Sequence, residues 1–160
     1  MPARRDDLRD ALRAAPMFAA LENAALEKLA ATCGLRQVRA GQFLFTAGAE
    51  ATEFFVLLAG RVRVYKLSPT GMQQVLHEYD AVRAFAEAAV LAGGVYPAHA
   101  EAIEDARVLA VPGRLVRRLV RAHPQWALGM LAGMAAKLHE FATLIEALTL
   151  KPALARLAGA

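Results

Sequence analysis

The sequence predicts an α+β protein, with helices at both ends of the chain around a sandwich or small barrel of short strands. Three observations carry this expectation. Apolar residues recur at helical spacing up to about Gly34, in short near-alternating runs from Leu35 to Val111, and at helical spacing again from Gly113. Glycine turn signals recur at close intervals through the middle segment. Near the C-terminus, apolar residues repeat as unbroken heptads.

The elements come in order. Leu8 and Leu12 begin a first short helix, Pro16 breaks it, and Leu21, Leu26 and Leu29 mark a second. Gly34 is placed to stop that helix as a C-terminal glycine. Residues 1–34 are therefore read as N-terminal helices. Residues 35–112 are read as a β-barrel core that would hold an effector. Its turns are expected at Ala40-Gly41, Ala47-Gly48, Ala59-Gly60 and the Ser-Pro-Thr-Gly sequence ending at Gly71. Val62, Val64 and Leu67 against Arg61, Arg63 and Lys66 predict a strand with one buried and one wet face. "AEAIEDARVLAVP" completes the strands.

Residues 113–160 are read as C-terminal helices. In "GRLVRRLVRAH", Leu115, Val116, Leu119 and Val120 recur at helical spacing, so the arginines form the wet face of an amphipathic helix rather than a nucleic-acid patch. Pro124 separates it from a long helix, 125–150, and Pro152 is expected to break the helical pattern of the tail. In the long helix Leu131, Leu138 and Ile145 fall at heptad position a, and Met134, Phe141 and Leu148 at d. This stripe predicts a homodimer seam. Leu128, Ala135, Ala142 and Leu144 offer a second apolar side for the helix's own domain.

Composition narrows the function. The chain has 160 residues, enough for one domain plus an appended element. Hydrophobic residues make up 57%, a figure raised by alanine, yet no apolar run is long enough to cross a bilayer. The N-terminus lacks the apolar core of a secretory signal, so a cytoplasmic protein is expected. The net charge of +4 is mild. One cysteine, Cys33, excludes an internal disulfide framework and a cluster held by several thiolates of one chain. "ATCGL" at a helix end reads as a small buried apolar residue.

The stretch "FAEAAVLAGGVYPAHAEA" sets Glu87 in an apolar run, where it needs solvent, a helix N-terminus or a partner. Together with Gly41, Phe45, Ala47-Gly48, "FFVL" from Phe54, Gly60, Val62, Val64, Tyr65, Pro69, Gly71 and the end phrase "LIEALTLK", it resembles the cyclic nucleotide-binding-like sensor domain of CRP/FNR-type bacterial transcription regulators. The resemblance covers about Met17 to Leu150 and implies a jelly-roll barrel with a long dimerisation helix. In that family the phosphate cassette resembles Gly-Glu-Leu, a short helix, then Arg-Ser/Thr-Ala. Helix amides and an Arg fork neutralise the phosphate, and the Glu bonds the ribose. Here Glu87 matches the Glu, Ala86 stands where Gly is usual, and Tyr96-Pro97 stand where Arg and Ser/Thr are usual. Loss of a charge-assisted contact of this kind costs about 1.5–3 kcal/mol. Cyclic AMP is therefore not the expected ligand, unless Arg83 or Arg114 supplies the charge from outside the cassette.

"FAEA", "YPAHAEA", "KLHEF" and "LIEALTLK" look most like the Dnr-type branch, whose members respond to nitric oxide and use haem in the regulation of denitrification. The resemblance implies haem as a candidate cofactor. Its axial ligand would come from the histidines. His139, beside the seam, and His99, after the cassette turn, are the candidates, with Tyr96 closing the pocket; Glu87 is a further candidate contact, whose alternative is a structural role near the cassette helix's amides. The bland alternatives are hydrogen-bonded or exposed histidines and a strand tyrosine with its hydroxyl at the surface. His77 on a strand and His123 before Pro124 are weaker candidates.

No catalytic constellation is present: no Ser or Cys nucleophile in recognisable context, no HExxH and no CxxC. Glu101, Glu104 and Asp105 read as a solvated strand–turn segment. The expectation is a non-enzymatic sensor, not bound to membrane, whose family contacts DNA only through a winged helix-turn-helix that does not follow "LKPALARLAGA" here. An excised or truncated sensor is the favoured reading, and a ligand-free dimerisation or protein-interaction module is the alternative.

Overall fold

The computed structural model describes residues 4–159, apart from the side chains of Ala14, Lys137, Pro152 and Ala153. It divides into two compact units, one through Ala122 and one from His123.

The first unit opens with α1 (Arg5–Ala14). Asp6 and Asp7 lie in its first turn and Arg13 in its last, each sign matched to the helix dipole. A 3-10 turn, Pro16–Phe18, leads to α2 (Asn23–Thr32), which buries Ala25, Leu26, Leu29 and Ala30. Gly34 does not stop this helix. The chain leaves α2 at Cys33 in an extended conformation (φ −80°, ψ 146°), and Gly34 is already the first residue of β1. A direct exit into a strand needs no left-handed residue.

The strands are β1 (Gly34–Val38), β2 (Phe43–Phe45), β3 (Glu53–Ala59), β4 (Arg61–Leu67), β5 (Gln73–Asp80), β6 (Arg83–Phe85), β7 (His99–Ala102) and β8 (Ala106–Pro112). They form two antiparallel four-stranded sheets, ordered β1-β8-β3-β6 and β2-β7-β4-β5. All four expected turns carry a glycine with φ of 85–87°. Between β3 and β4 the requirement is absolute. A Cβ on Gly60 would lie 2.3 Å from the Asp105 carbonyl oxygen and 2.7 Å from Ala106 Cα.

Neighbouring residues of a strand face opposite ways, and Phe54 and Phe55 use both faces of β3. Phe54 stacks outward on Phe18 (ring centroids 6.1 Å apart), seating the N-terminal helices. Phe55 points between the sheets, where it meets Phe45 (5.9 Å) and Phe85 (5.7 Å). On β4 the expected alternation fails past its midpoint. Val62 and Tyr65 are buried, whereas Leu67 is 53% exposed. The β4–β5 register slips between Val64 and Tyr65, and such a bulge re-aims the side chains beyond it.

The helix α4 (Gly113–Ala122) buries Leu115 and Val116 and exposes its arginines, but of the other two apolar residues of the pattern Leu119 is half-buried and Val120 exposed. The second unit is the helix α5 (Pro124–Ala158). It passes the expected end near Leu150 and is not broken at Pro152. A proline removes one backbone bond, and the strong helix formers after it restore the ladder. Along α5 the six residues of the heptad stripe are 54–70% exposed. Leu128 and Leu144, assigned by sequence to a self-packing side, are 58% and 55% exposed.

Candidate functional site: the cassette

The cassette runs from β6 through a short helix to β7. Ala86 turns the chain with φ 68° and ψ 6°, a left-handed conformation that glycine adopts without penalty and alanine does not. The helix α3 (Glu87–Ala92) comes next, and Gly93 ends it in the same left-handed region, its N–H bonding the carbonyls of Ala89 and Val90. Ala86→Gly is expected to raise stability by about 1 kcal/mol, the relieved strain outweighing glycine's larger chain entropy. Denaturant midpoints of the two proteins check this.

Two contacts from α4 hold α3 in place. Gly113 lies so close to Val90 that a Cβ there would meet Val90 Cγ1 at 2.5 Å. Arg117 Nη2 donates to the Val90 carbonyl (3.3 Å), a positive charge at a helix C-terminus. The cassette helix is thus packed directly against α4.

After α3 the chain pairs with the loop 47–51. Ala51 N–H donates to Gly94 O (3.0 Å), Tyr96 N–H to Ala49 O (2.9 Å) and Gly48 N–H to Tyr96 O (2.9 Å). This fixes Tyr96 in the interior, only 4% exposed. Its ring stacks on Phe45 with centroids 4.0 Å apart and planes 12° from parallel. Its hydroxyl donates to the Glu53 carbonyl (2.5 Å) and accepts from the Glu53 N–H (3.4 Å). Burial raises the Tyr96 pKa, the Glu53 charge adds to this, and the Glu53 backbone bond and the Arg36 charge oppose it. Glu53 in turn receives both Arg36 terminal nitrogens (2.5 and 2.9 Å), and that guanidinium lies 6.0 Å from the Phe55 ring centre. Tyr96 is therefore neither a lid over an open pocket nor a strand residue with a wet hydroxyl. It is a core residue, at the position that the resemblance aligns with the cassette Arg.

Glu87 is half-buried at the start of α3. It lies near Tyr79, whose pKa is raised first by burial and then by the Glu87 charge, with Arg83 opposing. Tyr79 stacks on Phe85 (5.1 Å), extending the aromatic column that Phe45, Phe55 and Tyr96 begin. Nothing in the sequence singles out Tyr79, Glu53 or Arg36. Each acquires its place through pairing between distant strands, for which no local pattern exists.

The histidines divide between the units. His99 Nδ1 accepts the Ala47 N–H (3.1 Å), which places the imidazole proton on Nε2. Neither nitrogen then offers a free lone pair, and the ring sits between Tyr65 and Phe43 (centroids 5.5 and 6.1 Å). His139 is exposed on α5, on the helix face it shares with Glu140, Thr143, Leu144 and Ala147. His77 is exposed on β5 beside Tyr79 (4.2 Å), and His123 precedes α5. Among the described residues, no three His, Cys, Asp or Glu side chains are grouped to hold a metal ion. In these positions His99 and His139 do not fit an axial haem ligand set, because one has its lone pair committed and the other stands on a wet helix face.

The acids of the 101–105 segment have structural partners. Glu101 accepts from the Tyr65 hydroxyl (3.2 Å), Glu104 pairs with Arg61 (3.6 Å), and Asp105 accepts the Ala40 N–H (2.9 Å).

Burial pushes the Cys33 thiol up to about 12, so it is neutral at ordinary pH and no thiolate ligand. Between the free thiol's 9.0 and that value, the unfolded chain releases a proton that the folded chain retains. The contribution is whole below pH 9.0 and is lost as pH rises through the window. Stability should fall over that range, and Cys33→Ala should flatten the fall in denaturation curves taken at successive pH values.

Residues 35–123 match the cyclic nucleotide-binding domain family. The chain belongs to that family. Among solved structures, the chain is similar to the sensor domain of the transcriptional regulator DNR from Pseudomonas aeruginosa. It is 26% identical, with a TM-score of 0.78 over 85% of this chain and 91% of that one. The longer DNR chain is 28% identical, with a TM-score of 0.76 over 94% of this chain and 66% of that one. An uncharacterised NTE-family protein of Mycobacterium tuberculosis is 31% identical over 87% of this chain. The chain spans 23% of the length of the curated relatives it matches. Among the described residues, no helix is long and apolar enough to cross a membrane.

Proposed function

We propose that this cyclic nucleotide-binding-family domain is the regulatory sensor module of a larger protein, that its cassette is closed by its own side chains, and that it signals through a homodimer built on α5. The observation that carries this reading is Tyr96. Its ring lies against Phe45 and its hydroxyl is satisfied by the Glu53 backbone, so the position of the family's phosphate counter-charge is neutral and filled. A cyclic phosphate placed there would be a desolvated charge without its Arg fork.

The likeness to the DNR sensor domain supports a transcription-regulator setting, in which a separate helix-turn-helix reads DNA. The NTE-family likeness supports the same module working inside a different host. In either setting the cassette helix is held by Gly113 and Arg117 of α4, and α4 leads directly into α5. A partner or effector that moves α3 would shift the α5 pair by its differential affinity for the two arrangements. A haem-based response to nitric oxide would first require His99 to give up its bond to Ala47 and reverse its tautomer. A thermal scan tests the closed cassette. Saturating cyclic AMP is expected to leave the unfolding midpoint unchanged, whereas a bound ligand would raise it by mass action.

A further inference from the structure

A second site lies outside the cassette. Gln37, Val38, Arg39, Ala59, Asp105, Ala106 and Arg107 line an open cleft of about 380 Å³. Arg107 stands opposite Gln37 on β1 and Ala59 on β3. By strand alternation it shares the face of Val56 and Phe54, turned away from the ring column that fills the interior. The β3–β8 register slips between Leu57 and Ala59, which sets the small Ala59 side chain against the arginine.

The positive charge in this cleft is unpaired. Among the described residues the Arg107 guanidinium makes no hydrogen bond or ion pair, and its Nε is buried without a partner. The Arg39 side chain likewise has no partner there, its backbone N–H alone being bonded, to Gln42 Oε1 (2.9 Å). The acid of the cleft is held by the backbone. Asp105 Oδ1 holds the Ala40 N–H (2.9 Å), and the Asp105 carbonyl is packed against Gly60. Asp105 is the one acid in the cleft, and it makes no ion pair with either arginine, so the positive charge there exceeds the negative.

We propose that this cleft binds a small ligand bearing a terminal phosphate, whose three free oxygens a cyclic phosphodiester such as cyclic AMP lacks, with the terminal nitrogens of Arg107 and Arg39 as the two prongs and the Gln37 amide as a neutral donor. A tetrahedral oxyanion has enough acceptor oxygens to serve two separate guanidiniums at once, which a single carboxylate serves less well. The ligand would bridge β1 and β8 at the end of the strand pair away from Gly34, where α2 enters the sheet, independently of the cassette.

Inorganic phosphate titrated into the isotope-labelled full chain, at constant ionic strength held with chloride, tests the assignment. The expected result is a saturable shift of the Arg107 Nε–Hε and Gln37 amide signals. Arg107→Gln and, separately, the exposed-site change Arg39→Gln should each weaken binding about ten-fold or more. Asp105→Asn, which keeps an acceptor for Ala40 but removes the opposing charge, should tighten it. Shifts that rise linearly without saturation, affinities equal in all four proteins, or acetate binding as tightly as phosphate would each overturn the proposal.

Discussion

With the proposed α5 homodimer, Leu138→Glu is expected to leave the protein a monomer in sedimentation experiments where the natural sequence is a dimer. Leu138 is 70% exposed at a central a position, with Leu131, Met134, Phe141, Ile145 and Leu148 on the same stripe. A seam built on two copies of α5 would bury this leucine twice. Each lost side chain costs about 2 kcal/mol, and the two carboxylates would face one another across the seam. The dissociation constant should rise by about a thousand-fold or more. Leu154 is equally apolar and 62% exposed but falls off the heptad stripe. Leu154→Glu should leave the dimer intact, and loss of the dimer in both variants, or in neither, would remove the seam from this register.

Gly60→Ala should be the most destabilising single methyl in the barrel. The added carbon would sit 2.3 Å from one backbone atom and 2.7 Å from another, and neither is the movable end of a side chain. The left-handed φ of 87° adds strain of its own. Together these cost about 3–5 kcal/mol, a large share of a typical domain's stability. The thermal midpoint should fall by roughly 6–20 °C. Gly71→Ala provides the contrast, because its φ is 85° but nothing lies within 4 Å of the new carbon. It should cost about 1–2 kcal/mol, from backbone strain alone. Equal losses in the two variants would show that strain and not the close approach decides.

The fold is legible in the sequence because its signals are local. Helical spacing, strand alternation and glycine turns are each written within a few residues, and Gly41, Gly48, Gly60 and Gly71 all turn the chain where their dipeptides and tetrapeptide predict. The departures are of two kinds. Gly34 and Pro152 are punctuation marks whose usual meaning is overridden by the residues after them, a strand in one case and a run of helix formers in the other. Leu67 leaves its expected face because a bulge changes the parity of a strand without leaving a mark in the apolar pattern.

The candidate site is only half legible. The departures Ala86 and Tyr96-Pro97 stand out against the family pattern. Their consequences depend on geometry between residues far apart in the chain. Tyr96 is a core residue because Phe45 stacks on it and Glu53, 43 positions away, accepts its hydroxyl. His99 is tied to Ala47 by a hydrogen bond spanning 52 positions, and no spacing rule predicts that. The lining of the Arg39–Arg107 cleft is likewise drawn from both ends of the barrel sequence, brought together by the β1–β8 pairing.

The most direct test of the closed cassette is a calorimetric titration of cyclic AMP into the intact chain, run beside the double variant Tyr96→Arg, Pro97→Ser. No saturable heat is expected with the natural sequence, because Tyr96 is buried and hydrogen-bonded where the phosphate would need a charge. Any saturable binding should appear only in the variant, which restores the fork and a hydroxyl. Saturable binding of cyclic AMP by the natural sequence, with Tyr96 unchanged, would show that the cassette is open and that its own side chains do not close it.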